Sequence, residues 1–231
     1  MSPKESSRRC PLCTAQAQWE MTQEGRDFYR CDTCALTFVP REQHLDAAEE
    51  KRRYSQHQNT IDNPGYVKMF TDKFPLLRKY CSDVKRILDY GCGPGPVLVE
   101  LLRREGYEAI GYDPYFAPEV DLSRPFDLII STEAFEHFAD PRKEMERIAG
   151  LVTSHGYLAI MTRQRSEAVD LQSWWYVRDP THVTFYAPRT FDWMAQYFGY
   201  RVLYQDRTNF VILQKVPSVG GSISENAIFG G

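Results

Sequence analysis

The sequence has no long hydrophobic run. No stretch approaches the roughly twenty apolar residues that a helix needs to span a bilayer, and the first residues, MSPKESSRRC, lack the apolar segment of a signal peptide. Charge of neither sign is in large excess, because 28 Lys and Arg face 31 Asp and Glu and leave a formal net charge of −3. These absences predict a cytoplasmic protein without a membrane partner, and they give no global electrostatic argument for nucleic-acid binding.

What the sequence does contain is enough apolar material for a core. The chain has 231 residues, of which 42% are hydrophobic. This length fits one α/β domain with a small appendage. Six cysteines could form disulfides in a secreted protein, but paired Cys-x-x-Cys motifs without a signal sequence favour reduced thiols that bind metal.

Four of these cysteines form two Cys-x-x-Cys pairs near the N-terminus. Cys10 and Cys13 are the first pair, Cys31 and Cys34 are the second, and seventeen residues separate the pairs. Thiolates at this double spacing can close a tetrahedral site around zinc, with the intervening residues forming a small β-ribbon. Because four thiolates leave no coordination position open to a substrate, the predicted Zn²⁺ is structural. We therefore interpret residues 1–45 as a zinc-ribbon module; ordinary buried thiols are the alternative.

A helical connector is predicted after the ribbon. Residues 46–85 begin as a charged helical pattern, and a second helix is predicted over residues 66–80, with Pro75 expected to kink it or split it. We interpret this segment as a connector or lid that could close over a bound ligand. Its candidate covering residues are Tyr54, His57 and Asn59. At the other end of the chain, residues 217–231 are predicted to form a flexible tail.

A glycine-rich turn between a strand and a helix indicates a nucleotide-like ligand. The strand is predicted at residues 86–90, and the turn from Gly91 to Gly95 leads to a helix that begins near Pro96. Glycines allow the backbone to approach a ligand closely, and a helix N-terminus supplies free N–H donors. Asp113, at the end of the next predicted strand, can accept hydrogen bonds from the ribose of a nucleoside. The dinucleotide-binding fingerprint would need glycine where the chain has Pro96.

The turn and the segments after it resemble the class I S-adenosylmethionine-dependent methyltransferases. The first motif of that superfamily is an acidic residue followed by Gly-x-Gly-x-Gly, as in the sequence that starts at Asp89, DYGCGPG. EAFEHFADP resembles the loop after the fourth strand, and YRVLYQD with NFVILQK resembles the final antiparallel hairpin. The resemblance covers residues 85–216. It implies an α/β fold in residues 86–216, with a Rossmann-like, doubly wound, seven-stranded, mostly parallel sheet whose last strand is antiparallel.

The resemblance also implies S-adenosylmethionine as the cofactor. Asp113 would hold the ribose, and the backbone of the glycine turn would hold the methionine end. Residues 120–122 would contact the adenine at the end of a third strand, although residues 114–120 are short for the helix expected before it. The residues implied to bind the cofactor are Asp89, Gly91, Cys92, Gly93, Gly95, Asp113, Asp121, Leu122, Thr132 and Glu133.

Two histidines are candidates for the general base of methyl transfer. An unperturbed imidazole titrates near neutral pH and can accept a proton from the acceptor. His137 lies in EHF and could instead contact the cofactor. His182 lies in SWWYVRDPTHVTFYAPRT, after the fifth predicted strand, and could instead hold the backbone of that loop. The aromatic residues around His182 suit a small organic acceptor, an unpaired nucleobase or burial of the loop itself.

The favoured function is methyl transfer by direct displacement to an oxygen or carbon nucleophile of a small molecule. A first alternative is an RNA or ribosomal methyltransferase that uses the zinc ribbon to bind nucleic acid. The acidic net charge and the lack of a long basic stripe disfavour it. A second alternative is a non-enzymatic zinc-ribbon adaptor, which the intact Asp89, glycine turn and Asp113 disfavour.

Overall fold

The computed structural model describes residues 5–56 and 60–217. The sequence interpretations of His57, of Asn59 and of the tail beyond Pro217 lie outside the described residues. Among the helices in these two ranges, none combines the length and the apolar character needed to cross a membrane.

A five-stranded antiparallel sheet contains the four thiols. The hairpin formed by its second and third strands turns at Glu24 and Gly25, which both have positive φ. Four strands precede residue 45, whereas the fifth comes from the loop that carries His182. In spatial order the strands are β1 (Ser7–Arg9), β2 (Gln16–Gln23), β3 (Arg26–Cys31), β4 (Thr37–Phe38) and β9 (Thr184–Phe185).

Three short helices connect this sheet to the next one. They are α1 (Ala47–Tyr54), α2 (Pro64–Thr71) and α3 (Phe74–Tyr80). The side chains of Asp46 and Asn63 cap α1 and α2 by accepting backbone N–H groups of the first turn. Pro75 splits the predicted second helix in two, because proline is tolerated only in the first turn of a helix and here it lies at the start of α3.

The larger sheet has six strands among the described residues. Strand β11, the last of the described strands, is antiparallel to both of its neighbours. The pairs of β5 with β6, β5 with β7 and β7 with β8 are parallel. In spatial order the strands are β10 (Tyr200–Gln205), β11 (Phe210–Lys215), β8 (Val152–Met161), β7 (Phe126–Thr132), β5 (Arg86–Tyr90) and β6 (Glu108–Tyr112). The remaining helices are α4 (Val97–Arg104), α5 (Pro141–Leu151) and α6 (Pro188–Tyr197). The Rossmann-like class and the antiparallel last strand are therefore confirmed.

The predicted third strand and the helix before it are absent from the described structure, so the sheet has one strand fewer than expected. Residues 114–125 form an irregular loop whose regular pairing is limited to one bridge between Asp113 and Ala117. A crossover between parallel strands needs a dozen or more residues for its connection alone. The segment between β6 and β7 is too short to hold that connection and a strand as well.

The two sheets share one hydrophobic core. Buried residues of the N-terminal sheet, such as Leu12, Tyr29 and Leu36, belong to the same cluster as Leu88 and Ile129 of the parallel sheet. The boundaries 1–45, 46–85 and 86–216 remain a prediction of domain limits. The packing means that the thiol-bearing sheet is held against the parallel sheet rather than tethered to it by a linker.

We expect Gly111→Ala in β6 to destabilise the protein by about 1–3 kcal/mol. An added Cβ would lie 2.8 Å from the Cys92 sulfur and 3.2 Å from a Val99 methyl carbon, so the glycine turn would have to move. Gly150→Ala in α5 is the matched control, because its Cβ would meet nothing within 4 Å. This substitution should stabilise the helix by about 0.5 kcal/mol. Urea unfolding measures both changes. Equal stability of the two variants would contradict the expectation.

Candidate active site and metal centre

The four thiols of the N-terminal sheet converge on one point. The Cys10 and Cys34 sulfurs are 3.6 Å apart, those of Cys13 and Cys31 are 3.3 Å apart, and all four lie within 4.8 Å of one another. A tetrahedral zinc with Zn–S bonds of about 2.3 Å separates its sulfurs by about 3.8 Å. The donor set and its spacing therefore fit a structural Zn²⁺.

Each cysteine pair lies in its own backbone turn, and the two turns have the same conformation. This explains why both pairs have the Cys-x-x-Cys spacing. The amide of Thr14 donates to the carbonyl of Cys10, and the amide of Ala35 donates to the carbonyl of Cys31. Thr14 and Ala35 each have a φ near +60°. Hydrogen bonding to the thiol of Cys10 is the main cause that raises the pKa of Cys34, so the cluster resists full ionisation unless a cation neutralises it.

The glycine turn and Asp113 meet at the carboxyl ends of β5 and β6. Gly91 and Gly93 have φ of 89° and 64°, and a Cβ on Gly91 would lie 2.6 Å from that of Ala134. The Asp113 carboxylate accepts the amide of Gly93 at 3.0 Å and the amide of Tyr115 at 2.8 Å. The turn thus requires glycine for both conformation and space.

Carboxyl groups cluster at this end of the sheet. Asp89 is 4% exposed, and burial followed by the charge of Asp113 raises its pKa to about 7. Glu133 is an exposed residue, and the partial desolvation of its carboxyl group, followed by the charge of Glu136, raises its pKa to about 8. Clustered carboxyls favour a positively charged ligand, because a cation removes both the repulsion and part of the desolvation cost. S-adenosylmethionine, with a sulfonium and an ammonium group, fits this requirement.

Four further residues predicted to bind the cofactor lie at or near the glycine turn and the end of β7. Thr132 ends β7, and Glu133 follows it with a φ of 49°. The Gly95 carbonyl accepts the amide at the start of α4. Burial, followed by the charges of Asp89 and Asp113, raises the pKa of the Cys92 thiol to about 12.

Two candidates for the adenine contact do not join the glycine turn. Asp121 is exposed and accepts the amide of Ser123. Leu122 packs against the core cluster. The expectation that a strand end at residues 120–122 presents them to the adenine is wrong in its structural premise, because no strand forms there.

The two candidate histidines lie side by side next to a buried glutamate. The rings of His137 and His182 are 4.9 Å apart. Glu136 is fully buried, and its oxygens accept the hydroxyl of Tyr176 at 2.5 Å and that of Thr162 at 2.8 Å. The sequence predicts both histidines as candidate site residues but does not predict Glu136, because the sequence of a loop does not show whether a charged residue in it is buried.

Helix α1 covers the same end of the sheet. The Glu50 carboxylate accepts the hydroxyls of Tyr54 at 2.7 Å and of Tyr115 at 2.6 Å, and Tyr115 follows Asp113 by two residues. The ring of Tyr54 also stacks edge-on against His137 at 5.1 Å. These contacts support the prediction of a lid. Tyr54 could be found from its place in a polar cluster, whereas Glu50 and Tyr115 carry no comparable sequence signal.

The sheet order and the glycine turn joined to Asp113 define a class I S-adenosylmethionine-dependent methyltransferase. A family model described as "Methyltransferase domain" matches residues 62–205. The chain belongs to that methyltransferase family.

Curated relatives are ubiquinone biosynthesis O-methyltransferases. The protein of Rhodopseudomonas palustris (strain TIE-1) is 28% identical over 109 residues, which cover 37% of this chain and 43% of the relative. The protein of Nitrobacter winogradskyi is 29% identical over 109 residues, with 37% and 41% coverage. The matched region thus spans less than half of the length of these relatives.

Solved structures with a related fold have low sequence identity. A SAM-dependent methyltransferase from Archaeoglobus fulgidus has a TM-score of 0.49 at 19% identity, covering 64% of this chain and 94% of that one. Human N-acetylserotonin methyltransferase in complex with SAM also has a TM-score of 0.49, at 12% identity, with 74% and 56% coverage.

We expect Cys34→Ser to lose zinc. Removal of one of four thiolates breaks the tetrahedral set, and structural zinc contributes about 10–16 kcal/mol of apparent binding free energy. Metal analysis of the purified chain should fall from one zinc per chain to a small fraction, with a lower melting temperature. Cys81→Ala is the control, because Cys81 is a buried thiol outside the cluster. A Cys34→Ser protein that retains one zinc per chain would contradict the assignment.

We expect S-adenosylmethionine binding at pH 7 to release protons. Asp89 and Glu133 are partly protonated there, since their pKa values are about 7 and about 8, and a cationic ligand stabilises their charged forms. Calorimetry in two buffers of different ionisation enthalpy counts the protons. Asp89→Asn should reduce the number, whereas Asp121→Asn, at an exposed position, should not.

The same groups predict how the stability of the unliganded protein varies with pH. Both folded-state pKa values lie above the ordinary values of 3.8 and 4.5. Their contribution is therefore fully present below pH 4 and is lost as the pH rises through 7 to 8. The melting temperature of Asp89→Asn should fall less over this range than that of the wild type. Parallel melting curves would contradict the buried-carboxyl argument.

Proposed function

We propose that this protein transfers the methyl group of S-adenosylmethionine to an oxygen of a small organic acceptor. The observation that carries the proposal is the pair of imidazoles, His137 and His182, held in one orientation beside the carboxyl end of the parallel sheet. The names of the curated relatives support oxygen over carbon as the nucleophile.

The residues proposed to hold the cofactor are Asp113, the backbone of Gly91 and Gly93, and the buried Asp89. When bound, S-adenosylmethionine supplies an electrophilic methyl group that needs no further activation. The chain's own contribution is to bind the two reactants in line, to exclude water beneath α1 and to accept the proton of the acceptor hydroxyl.

The histidine tautomers follow from their hydrogen bonds. The Nδ1 of His137 lies 3.0 Å from the carbonyl of Thr181, and the Nδ1 of His182 lies 2.8 Å from that of Tyr176. A carbonyl oxygen only accepts, so each neutral ring carries its proton on Nδ1 and presents the lone pair of Nε2. Both rings are thereby prepared as proton acceptors.

His182 is the proposed base of the pair. Burial, followed by the nearby His137, lowers its pKa, which keeps the ring neutral and able to accept a proton at physiological pH. Its Nε2 is 3.9 Å from the carboxylate of Asp179. That charge would stabilise the imidazolium formed after proton transfer. His137 would orient the acceptor or His182 itself.

A polar cavity opens beside this pair. Its volume is about 190 Å³, and its lining residues are Arg53, Gln56, Asp179 and Thr181. Thr181 also holds His137 through its carbonyl. Its polar side chains offer hydrogen-bonding groups to a small acceptor. Of the loop aromatics, Tyr176, Phe185 and Tyr186 are buried in the fold, so packing takes most of the aromatic surface.

Three arginines near the ribbon and α1 form ion pairs with carboxylates. Arg8 pairs with Glu5 at 2.8 Å and Glu42 at 2.6 Å, and Arg52 and Arg53 both pair with Glu49. Arginines already paired in this way offer less charge to a phosphate backbone. This observation favours a small acceptor over RNA.

The proposed function is tested with the full-length zinc-loaded protein and S-adenosylmethionine labelled in its methyl group. The acceptor panel contains phenols, catechols, hydroxylated sugars and total RNA. Labelling of a hydroxyl compound is the expected result. Labelling of RNA alone would overturn the proposal, and binding of the cofactor without transfer to any of them would favour the adaptor alternative.

Once an acceptor is found, His182→Gln should lower kcat by about 10²–10⁴-fold, the usual contribution of a general base. The dissociation constant for S-adenosylmethionine should not change, because the glycine turn is untouched. His155→Gln, an exposed histidine, is the control and should be fully active. Wild-type turnover by His182→Gln would remove this residue from the mechanism.

A further inference from the structure

A buried arginine of the thiol-bearing sheet bonds directly to the loop of the proposed base. Arg26 begins β3 and is 9% exposed. Its Nη1 donates to the carbonyl of His182 at 3.0 Å, and its Nη2 donates to the carbonyl of Val177. The arginine and the histidine are 156 residues apart in the chain, so this contact joins the ribbon to the candidate active site.

The two carbonyls mark the ends of one tight turn. Within that turn His182 donates its amide to Asp179 at 3.1 Å and bonds the Tyr176 carbonyl through Nδ1 at 2.8 Å. The planar guanidinium of Arg26 spans the turn from outside, and its fixed fork sets the distance between the two carbonyls. The backbone position of His182 therefore depends on a side chain of the ribbon.

Burial of this guanidinium is costly for a purely structural contact. Both hydrogen-bond partners are neutral carbonyls, and burial lowers the arginine pKa. Its guanidinium carbon lies 5.4 Å from the ring of Phe28. An apolar side chain of similar volume would fill the same space without the desolvation penalty. What it could not do is hold two carbonyls at a set separation.

The ribbon also continues as a sheet into the same loop. Phe38 of β4 pairs with Thr184 of β9, and the amide of Val39 donates to the carbonyl of Val183 at 2.9 Å. The amide of Val183 in turn donates to the carbonyl of Glu136 at 2.8 Å. The residues directly after His182 thus lie between a ribbon strand and the segment that carries His137.

We propose that Arg26 is a positioning residue for His182, and that the ribbon serves as an internal brace for the catalytic loop. The proposal rests on the proposed function for the role of His182 as base. Arg26 acts only through the loop backbone: it keeps the Nδ1 of His182 on the Tyr176 carbonyl and so keeps Nε2 free for the acceptor.

The test compares Arg26→Gln with Arg189→Gln in zinc-loaded full-length protein. Arg189 is a matched control, because it also bridges to the ribbon, donating to the carbonyls of Asp32 at 2.7 Å and Thr33 at 3.2 Å, but it lies outside the turn. Histidine-selective ¹⁵N NMR reports the tautomer of each ring, and the His182→Gln spectrum assigns its signal. Zinc content and S-adenosylmethionine affinity are measured alongside.

In the wild type and in Arg189→Gln we expect the His182 signal of a ring protonated on Nδ1. In Arg26→Gln the signal should move towards an average of the two tautomers, with zinc content and cofactor affinity unchanged. Where an acceptor is known, kcat should fall by about tenfold to a hundredfold, as for a small misplacement of a reacting group. Arg26→Lys, which keeps the charge but loses the fork, should show a smaller loss and serves if Arg26→Gln does not fold.

A wild-type His182 tautomer and wild-type turnover in both Arg26 variants would overturn the proposal. Equal effects of Arg26→Gln and Arg189→Gln would also overturn it, since the contact would then be general support for the ribbon. The NMR signal needs no acceptor. If the tautomer responds while His182→Gln remains fully active, the positioning of His182 stands and the proposed base role is what fails.

Discussion

The concentration of like charge at two points is the constraint on which the rest of this structure depends. Four thiols meet within 4.8 Å in the N-terminal sheet, and Asp89, Asp113 and Glu133 lie at the carboxyl ends of the parallel strands. Like charges that lie close together repel, and burial removes the hydration of the thiols and of Asp89. A cation would complete each cluster: Zn²⁺ for the thiolates and, as proposed, the sulfonium and ammonium groups of S-adenosylmethionine for the carboxylates. On this proposal the fold is arranged around two positively charged ligands as well as around apolar contacts.

The two sites are coupled by backbone as well as by shared core. The ribbon hairpin that ends at Cys31 begins at Arg26, and the strand after Cys34 pairs with β9. Strands β3 and β4 therefore connect the thiol cluster to the loop that holds His182. A structural metal can therefore affect an enzyme without contacting either reactant. A short segment with little core of its own is made rigid by the metal, and strand pairing restrains the neighbouring loop.

The sequence predicts those parts of the molecule that depend on local residue patterns. The Cys-x-x-Cys pairs predict the thiol cluster, and Asp89 with its glycines predicts the turn. Apolar runs predict strands such as β5, and the resemblance to the methyltransferase superfamily implies the final hairpin. The sequence-based predictions failed where chain length and long-range contacts decide the structure. Residues 114–125 cannot hold a helix and a strand, so the adenine contacts expected at Asp121 and Leu122 lost their premise. Arg26, Glu50 and Glu136 look like ordinary surface charges in the sequence, and only the assembled fold shows that Arg26 and Glu136 are buried and that Glu50 bonds two tyrosines.

The length of the catalytic loop explains why an enzyme of this class would benefit from a fused ribbon. Between the end of β8 at Met161 and the start of α6 at Pro188 the chain has only a short 3₁₀ turn and the two-residue strand β9. Loops of this length without regular structure are uncommon and have many conformations, yet a general base must be held closely to its productive position. The segment after β7 restrains the loop from one side, since the amide of Val183 donates to the carbonyl of Glu136. An added sheet that pairs with β9, together with one buried arginine that closes the turn, restrains the loop from the opposite side and leaves the imidazole edge free for the acceptor.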